Sequence, residues 1–327
     1  MKANPKLNGW LSDPGRRQSA QQRAEAFTER WSSHPLFAGL TERLRTAEAR
    51  SQVLEAAERF LDRVTDVETL VSDLIAQALA EPFLAPPLTT VVTEISTGYV
   101  LFADPKLTIS LGVISPDGLA AKKSAGTGTT AITFTGLVTS YRFLKSGGAT
   151  MAFYGAPACD SDFTGDIGRT CSFAGRRRIG DGEALLLDGS CQSLVIEHLA
   201  SDMLCLQASV QVDAAPLSVD YDSRTFRYLG AASTDEASSR TQMMITLLRC
   251  MDRVDAMPVI EQALASPHFH TRWHVMREML ALDAEAALPS LRHMARADPH
   301  PEVRFAATQA LDLFFNEESE ELQQCRA

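Results

Sequence analysis

The segment SPHFHTRWHVMREML, residues 266–280, and the segment DPHPEVRFAATQALD, residues 298–312, share one register. Ser266 falls on Asp298, Pro267 on Pro299, His268 on His300, Arg272 on Arg304 and Met279 on Leu311, at a constant offset of 32. One level earlier, Pro258 falls on Pro289 at an offset of 31. A period just above thirty residues holds two helices, and a single such unit cannot bury its own apolar face. The spacing therefore predicts a helical solenoid over 236–315. Pro258 and Pro289 fit the first turn of each inner helix, where a missing amide costs nothing. Ser266 and Asp298 fit the caps of the outer helices. In TQMMITLLRCMDRV the pattern places Met243, Met244, Leu247, Leu248 and Met251 on a buried side.

DPHPEVRFAATQAL is similar to a HEAT repeat, whose line reads D-x-x-P-x-V-R-x-x-A-x-x-x-L. Asp298, Pro301, Val303, Arg304, Ala307 and Leu311 match it residue by residue. The unit before it keeps Arg272 but has Trp273 and Val275 where small residues are usual. The resemblance covers about a quarter of the chain. It implies stacked helices that offer an extended face to a protein partner, with Arg272 and Arg304 as the candidate surface residues.

Three of the seven histidines crowd into seven positions here. His270 and His274 lie four apart, on one helical face, and His293 is a third candidate ligand on another helix. A zinc site needs such ligands to converge. The register offers a plainer reading, because His268 and His300 are the same turn of successive repeats. No metal site is favoured; His270, His274 and His293 stay as the alternative.

Upstream the patterning differs. Residues 1–20 read as a polar, poorly ordered tail. Residues 21–88 read as helical: Val53, Leu54, Ala57, Phe60, Leu61 and Val64 recur at three- and four-residue spacing. Three prolines in EPFLAPPL then break helix. Between 89 and 232 come short runs rich in β-branched and aromatic residues, among them LTISLGVI, VTSYRFL, ATMAFYG, EALLLDG and DMLCLQASVQV. SPDG, KSGG and GDGE read as turns between them. Eight or nine such strands predict an antiparallel barrel or sandwich. The expected fold is α+β and multidomain, closing on an acidic tail at 316–327.

RRIGDGEALLLDGSCQSLVIEHL is similar to the second conserved motif of the cupin superfamily. Gly180 and Gly189 take its glycines, while Leu187, Gln192 and Ile196 replace its proline, histidine and asparagine. The first cupin motif, with its histidine pair, has no counterpart, and residues 90–197 contain no histidine. A cupin metal is held by imidazoles plus a carboxylate. Gln192, Glu94, Glu197 and thiols do not make that site, so the resemblance implies a barrel without a catalytic metal and no cofactor. Gln192, Tyr141, Arg142 and Tyr154 are the candidate pocket residues for a small molecule.

A net charge of -10 repels a phosphate backbone and argues against nucleic acid. Arg176-Arg177-Arg178 reads as a solvated turn. None of the six cysteines forms a CxxC pair, the first residues carry no apolar signal region, and no apolar run reaches a membrane span. A cytoplasmic chain with reduced thiols is expected. SAGTGTTA lacks the lysine of a phosphate loop. Cys159 beside Asp160 and Asp162 should have a raised thiol pKa, and Asp160, Asp162 and Asp166 lack the glutamate of an EF-hand. Tyr221, Arg224, Arg227 and Tyr228 read as a last strand and its exit turn.

These readings lead to a non-catalytic interaction or regulatory protein, with a protein partner and room for homo-oligomers. The alternatives are a divergent cupin-type dioxygenase or isomerase and a metabolite-binding sensor.

Overall fold

The computed structural model describes residues 5–80, 88–125, 131–160, 163 and 168–313. The proline-rich break at 81–87, most of the SAGTGTTA loop, Asp162, Asp166 and the acidic tail lie outside the described residues. The chain forms two compact units. One comprises Met1–Pro157, Cys171–Ala214 and Asp222–Phe226; the other comprises Ala158–Thr170, Ala215–Tyr221 and Arg227–Ala327.

The first unit opens with helices α1 (Pro5–Leu11), α2 (Pro14–Ser32), α3 (Pro35–Thr46), α4 (Arg50–Leu61) and α5 (Val64–Ala80). The expected tail is thus helical from residue 5. Asp13 caps α2, accepting from the Arg16 amide at 3.1 Å, and Pro14 sits in the first turn where its ring is pre-set for helix. The stretch is polar because α2 is mostly exposed; only Ala20, Phe27 and Trp31 are buried.

The strands are β1 (Thr90–Val92), β2 (Ser96–Asp104), β3 (Leu107–Ile114), β4 (Ala131–Phe134), β5 (Val138–Lys145), β6 (Thr150–Gly155), β7 (Ser172–Arg178), β8 (Ala184–Asp188), β9 (Gln192–His198) and β10 (Met203–Val210). SPDG opens helix α6 (Pro116–Ala125) instead of a plain turn, because the Ser115 hydroxyl accepts from the Gly118 amide at 3.0 Å in cap fashion. Strands β1-β2-β3-β10-β5-β8 form one antiparallel sheet, and β7-β6-β9 form another. Strand β4 runs beside β9, where the Ser193 hydroxyl donates to the Thr133 carbonyl at 2.6 Å. From β3 to β10 the strands alternate between the two sheets, with only β6 and β7 consecutive in one, giving the order β3-β10-β5-β8 on one side and β9-β6-β7, with β4 beside β9, on the other. That is a jelly roll of two Greek keys, the double-stranded β-helix.

The larger sheet is buried on both faces. Leu206, Ala208 and Val210 of β10, with Leu107, Ile109 and Val138, join Phe37, Leu44, Val53 and Phe60 of the helices in one core. The Trp31 indole donates to the Leu101 carbonyl at 3.2 Å, and the Lys106 ammonium donates to the Leu44 and Ala47 carbonyls at 2.8 Å each, satisfying the end of α3. The other face sends Met203 and Cys205 of β10 and Phe143 of β5 into the barrel against Met151 and Ile196.

The second unit holds the hairpin β11 (Leu217–Asp222) and β12 (Tyr228–Ser233), then α7 (Glu236–Cys250), α8 (Met257–Gln262), α9 (Phe269–Leu282), α10 (Ala284–Ala297) and α11 (Pro301–Leu311). Helices α7, α9 and α11 are the repeating layer, with α8 and α10 between them. Val275, Met276, Met279, Ala287, Leu291, Val303 and Ala307 fill the cores. Pro258 lies in the first turn of α8 as expected. Pro289 does not lead its helix: Asp283 caps α10 earlier, accepting from the Ala286 amide at 2.9 Å, and leaves the proline inside. The residues preceding α9 and α11 are His268 and His300. Ser266 and Asp298 act two residues upstream, their side chains accepting from the His268 and His300 amides at 3.3 and 2.8 Å. Met243, Met244, Leu247 and Met251 are exposed instead of buried. Among the described residues, no helix is long and apolar enough to cross a membrane.

Candidate functional site

A cavity of about 200 Å³ opens inside the jelly roll, between β2, β3, β5 and β10 on one side and β6 and β9 on the other. Strand register assembles its lining. Gln207 of β10 pairs with Tyr141 of β5 on one side and with Ser110 of β3 on the other, so three polar side chains form a row across the inner face. Phe143 and Cys205 form the next inward pair on the same face. Met151, Leu194, Ile196 and Met203 supply apolar walls.

The polar row is neutral. The Gln207 amide donates to the Ser209 hydroxyl at 3.1 Å, and Ser209 stands 3.5 Å from the Thr139 hydroxyl. Tyr141 stacks on Phe143 with ring centroids 6.0 Å apart. Burial drives the Tyr141 phenol above its ordinary value; the nearby Cys205 adds to this and a hydrogen bond with Thr139 opposes it. Burial likewise pushes the Cys205 thiol up to about 12, against a weaker opposing backbone contact at Arg142. Both groups stay protonated at neutral pH, so neither is a ready nucleophile or base.

The four expected pocket residues separate. Tyr141 lines the cavity. Arg142, its neighbour, points to the opposite face by strand alternation, pairing with Asp62 and donating to the Gly182 carbonyl at 3.1 Å. Gln192 is exposed, and its carbonyl oxygen accepts from the Asp188 amide at 3.2 Å. Tyr154 sits in an aromatic group with Phe173 and Phe226. Gln207, Ser110 and Cys205 were not singled out from sequence. In β10 the set Cys205, Gln207 and Ser209 alternates with the apolar set Leu204, Leu206, Ala208 and Val210, and alternation alone does not tell a cavity-facing polar set from a solvent-facing one.

A cupin metal does not fit these residues. The lining holds no histidine, aspartate or glutamate, and its one thiol is held protonated. Glu94 pairs instead with Lys122 at 3.2 Å, and Glu197 accepts from Arg176 at 2.7 Å. Arg176 and Arg177 lie on the exposed strand β7, and Arg177 pairs with Glu183. The three-arginine run is therefore strand, not turn.

The helical unit does not gather the alternative ligands either. Among the described residues, no group of three histidines, cysteines, aspartates or glutamates converges. His274 contacts the Thr246 hydroxyl at 3.0 Å. Both ring nitrogens of His270 are buried without a partner, and burial, then His268, lower its pKa to about 4 against the opposing pull of Asp235. Arg272 is drawn inward: its guanidinium grips both oxygens of Asp298 at 2.8 and 2.7 Å and donates to the Ser266 and Pro267 carbonyls at 3.0 Å each. Arg304 repeats the contact one level on, donating to the Asp298 and Pro299 carbonyls at 2.6 and 3.0 Å. These arginines clamp the interhelix turns, Arg272 buried and Arg304 half-buried. Cys159 has a thiol raised to about 11, with burial the leading cause; Asp160 adds to it, while a Leu217 backbone contact and Arg169 oppose it.

A family model of HEAT repeats matches residues 229–312. No curated protein matches the chain. Several solved structures overlap the barrel region. Ectoine synthase from P. lautus is 13% identical over 37% of this chain and 68% of its own, with a TM-score of 0.23. The polyketide cyclase RemF from Streptomyces resistomycificus is 12% identical over 47% and 88%, with a TM-score of 0.25. A cupin domain from Schizosaccharomyces pombe is 6% identical over 35% and 60%, with a TM-score of 0.22. Strand order, not these loose overlaps, makes the barrel cupin-like, and the repeat match makes the last helices a HEAT module.

Proposed function

We propose that this chain is a non-catalytic binding protein whose metal-free barrel takes up a small uncharged ligand and whose HEAT helices hold a protein partner. The carrying observation is the cavity lining, which is apolar with a neutral row of Tyr141, Gln207 and Ser110 and no charged side chain. A charged ligand would lose its hydration there without a counter-charge, at a cost of several kcal/mol. A neutral ring can fill the apolar part, while one hydroxyl or carbonyl meets the Tyr141 phenol or the Gln207 amide. The volume suits one ring with a short substituent, since an engineered cavity of about 150 Å³ admits benzene. The protonated Cys205 and Tyr141 support binding over chemistry.

A thermal-shift series with benzyl alcohol, small phenols and their carboxylate and amine counterparts tests this. Ligand near 100 times its Kd adds about 2.7 kcal/mol, which is several degrees of melting temperature. The neutral compounds should raise the melting temperature and the charged ones should not. Gly112 lines the cavity, and a Cβ built there meets nothing within 4 Å, so Gly112→Leu should fill the space and abolish the shift. A stronger response to the carboxylates, or an undiminished shift in Gly112→Leu, would sink the reading.

A further inference from the structure

Helix α7 is apolar on two sides. Toward α9, Ile245 and Leu248 join Val275 and Met279 in the core, and polar contacts flank them. The Gln242 amide donates to the Thr271 hydroxyl at 3.0 Å, Thr246 meets His274 at 3.0 Å, and Arg249 pairs with Glu278. The opposite side is apolar and uncovered: Met243, Met244 and Leu247 of α7, Met251 at its C-terminal cap and Val254 in the short turn that follows are between 46% and 66% exposed. Terminal units of a helical stack ordinarily turn a polar face outward. Thioether side chains adapt to an apposed surface, as at other methionine-rich binding faces.

The stripe fits itself. Met243, Leu247 and Met251 are spaced by four, so an antiparallel copy rotated about Leu247 sets Met243 of each helix against Met251 of the other. Ion pairs flank the stripe at both ends, Glu236 with Arg240 and Arg253 with Asp255 at 2.7 Å, and the antiparallel register brings Arg240 of one copy level with the Asp252–Asp255 stretch of the other. The five side chains expose on the order of 500 Å² per copy, and two copies cover about 1,000 Å², the lower limit for a specific interface. We propose that this face is covered by α7 of a second copy of the chain, forming a two-fold dimer. The proposal does not depend on what the barrel binds.

Sedimentation equilibrium of the full chain tests it, with concentrations reaching roughly 100 times a micromolar Kd. The wild-type chain should approach a dimer. Leu247→Glu buries two like charges on the axis and should weaken association at least about tenfold, with unchanged far-UV circular dichroism because the site is exposed. Leu247→Cys in a Cys250→Ser background should cross-link under mild oxidation, whereas Phe305→Cys, exposed on α11, should not. A wild-type chain that stays monomeric throughout, or a dimer indifferent to Leu247→Glu, overturns the proposal; the monomeric result would give the face to a partner of another sequence.

Discussion

Arg272 and Asp298 form the most enclosed ion pair described in the helical unit, with side chains 10% and 4% exposed. Burial alone would raise the Asp298 pKa, but the Arg272 hydrogen bonds and the His300 amide outweigh it and hold the carboxyl below its usual value. Removing one partner leaves the other buried and uncompensated. Arg272→Ala should therefore cost about 3–5 kcal/mol in urea unfolding. Arg272→Lys should recover only part of that, since an ammonium cannot make the two-pronged contact. His270 gives a pH signature of opposite kind. Its folded pKa lies near 4, below the ordinary value of 6.5, so the unfolded chain binds the proton first as pH falls. Its stability contribution is complete above pH 6.5 and is lost on acidification toward pH 4, by about 1–2 kcal/mol after allowing for partial solvent contact. Urea midpoints at pH 7 and pH 5 should differ less in His270→Phe than in the wild-type chain; an equal difference would refute the assignment.

At the scale of elements, helix spacing was easier to read than the facing of each element. The 32-residue register located the turns because Pro and Arg recur, and Ser266 and Asp298 make the same contact, for backbone reasons local to each repeat. The methionine stripe of α7 has the periodicity of a core helix, yet it faces outward. Periodicity identifies an apolar side and says nothing of what covers it. Of the four candidate pocket residues, Tyr141 lines the cavity and its neighbour Arg142 faces away, because adjacent residues on a strand serve opposite faces, whereas Gln192 shares the parity of Leu194 and Ile196 but stands at the exposed start of β9. Register also depends on close backbone approach. A Cβ at Gly98 would lie 2.0 Å from the Leu111 carbonyl oxygen on β3, so Gly98→Ala should strain the β2–β3 pairing. A loss of about 1–3 kcal/mol in thermal or urea unfolding is expected. Gly112→Ala, which meets open space, should be nearly silent and serves as the control.

For the whole molecule, charge sets who can approach. With a net charge of -10, the chain should leave the electrophoretic mobility of duplex DNA unchanged even at low salt, where counterion release most favours binding. The larger sheet serves two cores, with Leu204, Leu206 and Ala208 against the helices and Met203 and Cys205 in the barrel. A one-residue slip in β10 exchanges those two sets. Deleting a single residue there would mismatch both interiors at once, whereas the same deletion in the exposed edge strand β7 disturbs only its pairing with β6. Insertions and deletions should therefore be poorly tolerated in β10 and better tolerated at that rim.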